Sequence, residues 1–303
     1  MGAALSSLAA RGIMTAREAG VTEGRGPESV SWRLHREVVL LAGWGRAILL
    51  QIAHPLVACG VAEHSDFLRE PRGRWHRLHR TLRAMLALTF GTEEERQQAA
   101  AGIRHIHGRV HGRLPESAGS FAAGTVYTAE DPALLGWVHA TLVDSFLLTH
   151  ELYVGSLEPA ERDRYCVEAA GIEPLLGIPP GVLPRSIAAL RTSTEEMLAS
   201  GAIAVTPTAR ALAAAIVTPP VPLIARPLLP LLRLPTVGLL PPAIRAAYGF
   251  PWDARRDRAL RLSAVVVRRL LPLCPSVIRH WPAARAAYAR ERRGPAPGAA
   301  GAA

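Results

Sequence analysis

The sequence predicts an all-α protein. Apolar residues recur at three- and four-residue spacing along most of the chain, alternating β-branched runs are scarce, and several segments open on helix-start signals. Taken in order, residues 1–28 are Gly-, Ala- and Ser-rich and read as a loose lead-in. A first helix is expected over 32–53, ending near His54-Pro55 because a residue before proline avoids the helical region. A second is expected over 71–90. A third starts at Thr92, where T-E-E-E forms a capping box with Glu95, and is expected to run to Val110 with Gly112 as its stop. Asp131-Pro132 opens a fourth that reaches about Tyr153. Further helices are expected at 159–170, 184–199 and 254–271. The Pro- and Leu-rich stretch 207–242 is too broken for one long helix, and reads either as a lid of short helices over an apolar cavity or as loops packed on the core. From Arg293 the tail GPAPGAAGAA reads as disordered. The expected organisation is thus one helical domain over 29–292 between two loose ends.

Of 303 residues, 49% are apolar and 20% charged, a balance that supports an ordered core. Net charge is +10, and all 35 basic residues are arginine. They are scattered, with no basic run longer than a pair and little aromatic interleaving, so nucleic acid is not the expected partner. Weak attraction to anionic membrane surfaces is compatible with that charge, and no obligatory protein partner is evident. Three widely spaced cysteines argue for a reducing compartment and against a disulfide framework. Signal-peptide patterning is not evident at the N-terminus, and the apolar stretches around 211–225 and 227–232 fall short of the ~18 residues a spanning helix needs. The expected location is cytoplasmic.

Residues 102–112, GIRHIHGRVHG, place three histidines within seven positions. On a helix turning about 100° per residue, Ile106, His107 and Val110 lie within ~60° of Ile103, whereas His105 lies on the opposite side. His111 falls at the edge of the face, one turn on. The trio therefore does not converge on one ion. An inward His107 has two readings: a hydrogen-bonded core residue, or an axial ligand to haem iron held as a neutral imidazole in an apolar pocket. His139, in LLGWVHATLVDS, shares a face with Leu135, Leu142, Val143 and Phe146 and is its main rival.

The helix before it carries RWHRLHRTLRAM. Arg77, Arg80 and Thr81 share an arc of ~100° with Ala84 and Leu88. Guanidiniums pointing where an apolar stripe points need partners. Those partners are either carboxylates such as Glu63, Asp66 or Asp144, or an anionic or oxygen-bearing group in a cavity. His64 and Asp66 resemble half of a two-His-one-carboxylate iron site, but i and i+2 diverge by about 200° on a helix. Phosphate loops, Ser-His-Asp signatures and a dinucleotide fingerprint do not occur.

Several phrases together, in order and spacing, resemble the family of the latex-clearing rubber oxygenase and the MpaB-type oxygenases. They are LAGWGRAILLQIAHPLVACGVAEHSDF (41–67), RLHRT (77–81), LTFG (88–91), IRHIHGRVHG (103–112), YTAEDPALLGWVHATLVDS (127–145), LEPAERDRYCVE (157–168), LGIPPGVLP (176–184) and LLPPAIRAAYGFPW (239–252). The resemblance implies a helical, globin-like core around haem b and oxidative cleavage of carbon–carbon double bonds by dioxygen. It implies that His107 is the iron's axial ligand, and that Arg77, Arg80 and Thr81 match a distal Arg-x-x-Lys-Thr. Arg80 departs from the lysine there, and arginine stays protonated and cannot ligate iron. Glu63 is the nearest match to a distal base, and His111 and His139 are further candidates for contact with the cofactor.

The resulting expectation is a haem b-dependent oxygenase acting on a small apolar, isoprenoid-like substrate and dioxygen, with Arg77, Thr81 and Glu63 catalytic and His107, Arg80, His111 and His139 on the cofactor. Three rival readings stand beside it. They are a haem-binding sensor or carrier without turnover, a non-haem metal hydrolase built on His54, His64, Asp66 and His107, and a structural helical module.

Overall fold

A computed structural model describes residues 25–64, 71–218 and 229–293; for residues 71–78 and 230–232 it describes the backbone only. The expected lead-in and tail fall mostly outside that range. Among the described residues the chain is all-α apart from one short hairpin. Its helices are α1 (Val30–His35), α2 (Leu41–Ile52), α3 (Pro55–Glu63), α4 (Pro71–Phe90), α5 (Glu93–His107), α6 (Pro132–Tyr153), α7 (Pro159–Ala170), α8 (Glu173–Leu176), α9 (Ile187–Ala199), α10 (Pro207–Val217), α11 (Leu229–Gly238), α12 (Pro242–Ala247), α13 (Ala254–Leu270), α14 (Ser276–Arg279) and α15 (Pro282–Arg293). Strands β1 (His111–Arg113) and β2 (Val126–Thr128) pair antiparallel, with Gly112 opposite Tyr127.

The start signals act as chemistry requires. Thr92 and Glu95 form a reciprocal capping box at α5, and Asp131 accepts the Ala133 N–H at α6 with Pro132 in the first turn. Several boundaries differ from the sequence reading; α9 begins at Ile187, not 184, and α3 occupies a stretch where no helix is expected. The first helix breaks at Glu37 into α1, a 3-10 turn (Val38–Leu40) and α2, because the buried Glu37 carboxylate is drawn to Arg279 Nε at 2.7 Å and Nη2 at 2.8 Å. The third helix ends at His107, not Val110, with Gly108 as its cap. Gly112 lies in β1, where a Cβ would meet the Tyr127 hydroxyl at 2.6 Å. This hairpin was not anticipated, since three-residue strands leave too short a pattern to read.

The core is organised on α2. One side packs along α6, another against α11, and α10 closes over α2 and α3. Close approach depends on A-G-W-G at 42–45. A Cβ at Gly43 would sit 2.8 Å from the Ser145 carbonyl oxygen of α6, and one at Gly45 would sit 2.6 Å from Thr236 Oγ1 of α11. Gly43→Val is therefore expected to destabilise the protein by ~1–3 kcal/mol, the usual cost of overpacking, read as a lower denaturation midpoint with an unchanged slope.

The 207–242 stretch resolves into α10 and α11, each packed against α2, with Pro235 buried inside α11; residues 219–228 lie outside the described range. α6 is long and apolar enough to cross a membrane by composition, yet half of that span is buried among other helices, as suits a central core helix. Its apolar side chains are spread around the helix with polar ones such as His139, Thr141, Asp144, Ser145, Thr149 and His150 set among them, so it shows little of the one-sided stripe that marks a surface helix.

Candidate active site

Between α2, α4, α5, α6, α7 and α8 the fold leaves a cavity of about 840 Å³, large for its purpose among ligand pockets of ~300–1,000 Å³. Its wall is mainly apolar, with Ile52, Leu56, Leu88, Leu135, Leu142 and Leu212 among the contributors. The same arcs drawn on the sequence wheels reach it. Ile103, Ile106, His107 and Val110 all line the cavity from α5 and the turn after it. Ile106 is nevertheless 40% exposed, so the face borders an opening and is not fully buried. Arg104 anchors the end of α5 by donating to the Leu175 carbonyl of α8, which holds His107 at the wall.

His107 makes no side-chain hydrogen bond among the described residues. Burial pushes its pKa down, with the nearby Glu130 carboxylate opposing. It is thus held as a neutral imidazole with a lone pair to give. His105 is exposed and lies off the cavity. His111 is also exposed on β1 and off the wall. Its carbonyl meets His64 Nε2 at 3.1 Å, and the hairpin turns its side chain out of the α5 face.

His139 also lines the cavity, from α6. Its Nε2 lies 3.1 Å from the Ala169 carbonyl, so that nitrogen carries the proton and Nδ1 is bare, enclosed and unpartnered. Burial pushes its pKa down to about 4. His35, at another edge of the cavity, shares a 2.8 Å hydrogen bond with the Tyr165 hydroxyl, and burial likewise pushes it down to about 4. His54, buried against Phe121 off the cavity, is also pushed down by burial to about 4.

These shifts set an acid limit. In the unfolded chain a histidine binds its proton below about pH 6.5, whereas His35, His54 and His139 resist it until about pH 4 in the fold. Stability from the three is fully present above pH 6.5 and is lost as pH falls toward 4. The melting temperature is expected to drop across that window, and His35→Gln to flatten the drop. A melting temperature constant from pH 7 to 4.5 would contradict the assignment.

On α4, Arg80 and Thr81 are exposed and also line the cavity, together with Ala84 and Leu88, which places them at its mouth. Arg80 has no ion-pair partner among the described residues. Asp144, a partner considered for these arginines, is instead taken by Arg46 at 2.7 Å. The side chain of Arg77 and all of Asp66 lie outside the described residues.

Glu63, at the end of α3, does not line the cavity. It accepts from the Tyr127 hydroxyl at 2.5 Å and from the Cys59 thiol at 3.3 Å. Tyr127 does line it, and burial together with the Glu63 contact pushes the phenol up. Glu63 therefore reaches the cavity through Tyr127. The sequence reading missed Tyr127, as it missed Gln51 and His35. Tyr127 opens the stretch YTAEDPALLGWVHATLVDS, but only the hairpin turns it toward α3. Among the described residues no three His, Cys, Asp or Glu side chains gather as a metal site.

The sequence profile of one family, described as the catalytic domain of ER-bound oxygenase mpaB/B' and rubber oxygenase, matches residues 32–269. Curated relatives include uncharacterized protein Mb2261 of Mycobacterium bovis and uncharacterized protein Rv2237 of Mycobacterium tuberculosis. Each is 30% identical over 139 residues, which is 45% of this chain and 51% of the relative. The matched stretch thus spans about half the length of these relatives. No solved structure matches.

Proposed function

We propose that this chain, which belongs to the family of MpaB-type and rubber oxygenase catalytic domains, is a haem b-dependent oxygenase that cleaves a double bond in a small apolar, isoprenoid-like substrate. The observation that carries the reading is the apolar cavity of about 840 Å³ with the unpartnered imidazole of His107 on its wall. The residues present suit the group. The wall is apolar where a macrocycle would lie, two neutral imidazoles (His107 and His139) offer bare nitrogens, and Arg80 stands free at the mouth to meet a propionate. When bound, haem b supplies the iron that activates dioxygen.

The protein's own part is to bind, orient and exclude water. His107 would hold the iron, and His139 lines the cavity from α6 as a neutral group. The leucines and isoleucines keep the cavity dry and receive an apolar chain. Thr81 at the mouth offers a hydroxyl that can orient a polar oxygen. Glu63, held by Tyr127 and Cys59, is a carboxylate that can take a proton from the cavity through Tyr127: the phenol gives its proton to Glu63 across the 2.5 Å contact as it receives one from the cavity side. Arg80 cannot act as a second ligand, since a guanidinium offers donors and no lone pair.

The test begins with the absorption spectrum of freshly purified protein, where a strong haem band that shifts on adding cyanide or imidazole is expected. Oxygen uptake and product analysis with isoprenoid alkenes then separate an enzyme from a haem sensor or carrier. Thr81→Ala is expected to keep its fold and haem while losing oxygen-dependent turnover; a variant that turns over like the parent removes Thr81 from the site. A cytoplasmic setting, with dioxygen and the substrate as its partners, belongs to the same proposal.

A further inference from the structure

α13 has two apolar faces. Leu260 and Ala264 are buried and Val267 is half-buried; Ala264 and Val267 pack with Ala42, Tyr153 and Leu152 in the core. On the opposite side, Leu262, Val265, Val266 and Leu270 stand in solvent, and the chain beyond continues the surface with Leu273, Val277 and Ile278. Leu273 is 77% exposed and Ile278 67%. Single exposed leucines are ordinary on a protein surface, but seven large exposed apolar side chains within 17 consecutive residues are not. No described element covers them.

The same surface is strongly cationic. α13 carries Arg255, Arg256, Arg258, Arg261, Arg268 and Arg269 against Asp257 within the helix. Arg256 and Arg261 are neutralised locally, by Asp253 and Asp257, each at 2.6 Å. Arg268 is turned aside to the Leu152 carbonyl at 2.9 Å. Arg255, Arg258 and Arg269 are exposed and make no ion pair among the described residues. On the wheel Arg258 and Arg269 fall within ~40° of Leu262, so free guanidiniums stand among the apolar side chains themselves.

We propose that α13 and the turn through α14 form a docking surface for an anionic lipid bilayer, with Leu262, Val266, Leu273 and Ile278 entering the headgroup boundary and Arg258 and Arg269 pairing with lipid phosphates. Apolar residues interleaved with unpaired arginines on one helical face are what an interfacial helix requires. Long arginine stems lie along apolar surface while their heads reach outward to phosphate. A second copy of the chain suits the face less well, because a two-fold contact brings the same cationic patch of both copies together.

The test uses the full chain and phosphatidylcholine vesicles prepared with and without phosphatidylglycerol, read by co-sedimentation. Binding is expected only where phosphatidylglycerol is present, weakening as salt is raised. The double variant Leu273→Ser/Ile278→Ser, with its melting curve unchanged, should bind roughly tenfold more weakly. Arg258→Gln/Arg269→Gln should lose the preference for anionic vesicles. The proposal is overturned if the parent stays in the supernatant with phosphatidylglycerol vesicles, or if the serine variant binds like the parent. It is equally overturned if the parent forms a concentration-dependent dimer that the serine substitutions abolish while no vesicle binding occurs, which assigns the face to a second copy, or if only an acidic protein competes for it.

Discussion

His107→Ala is expected to fold, to melt close to the parent, and to emerge from purification with little haem. The side chain sits at the last residue of α5 against open cavity, not in packed core, so its removal deletes few contacts. What it removes is the donor nitrogen. Disturbing only the outer partners of a metal ligand typically changes metal affinity by ~10–100-fold, and losing the ligand itself should do at least as much. The ratio of haem-band to protein absorbance reads the loss, alongside a melting curve that confirms the fold. His105→Ala, whose side chain points away to solvent, should keep its haem. If His139→Ala loses haem while His107→Ala retains it, the ligand is His139. Its bare Nδ1 and the Nε2 contact to the Ala169 carbonyl would then be the ligand geometry.

The largest stability effect is expected at Arg46, away from the cavity chemistry. Arg46 is buried in α2 and its guanidinium joins three elements: Asp144 at 2.7 Å, Ser145 Oγ at 2.6 Å and the Leu239 carbonyl at 2.7 Å. Arg46→Met keeps the apolar stem but leaves a carboxylate and a carbonyl facing the core. Breaking one side of a buried pair costs ~3–5 kcal/mol, and the partial exposure of Asp144 argues for the lower end of that range. At ~2–4 °C per kcal/mol for a domain of this size, the melting temperature should fall by ~6–12 °C. Arg46→Lys should fall between, since it restores charge without the planar fork. A melting temperature unchanged in Arg46→Met would show that the network contributes nothing net.

These two sites differ in how they could be foreseen. The inward turn of His107 was legible because local periodicity alone sets which side of a helix a residue occupies. The same arithmetic set Thr81, Ala84 and Leu88 on one arc, and all three line the cavity. Arg46 was not legible. Its partners lie 98 and 193 residues or more along the chain, and no local pattern records which carboxylate a buried arginine will meet.

Local chemistry determined the helices themselves. Caps at Thr92 and Asp131, prolines at the first turns of α4, α6 and α7, and three-to-four-residue apolar spacing all act within one or two turns, and the elements they mark occur where they are expected, whereas α3 begins at a proline that reads only as a stop. Tertiary structure alone decided three things. It broke the first helix at Glu37, because a distant Arg279 gives that carboxylate its partner. It turned residues 108–128 into a hairpin that carries His111 off the site and Tyr127 toward Glu63. It left one face of α13 covered and the other bare, a difference the amphipathic pattern could not express, since both faces are apolar and only packing chooses which is buried.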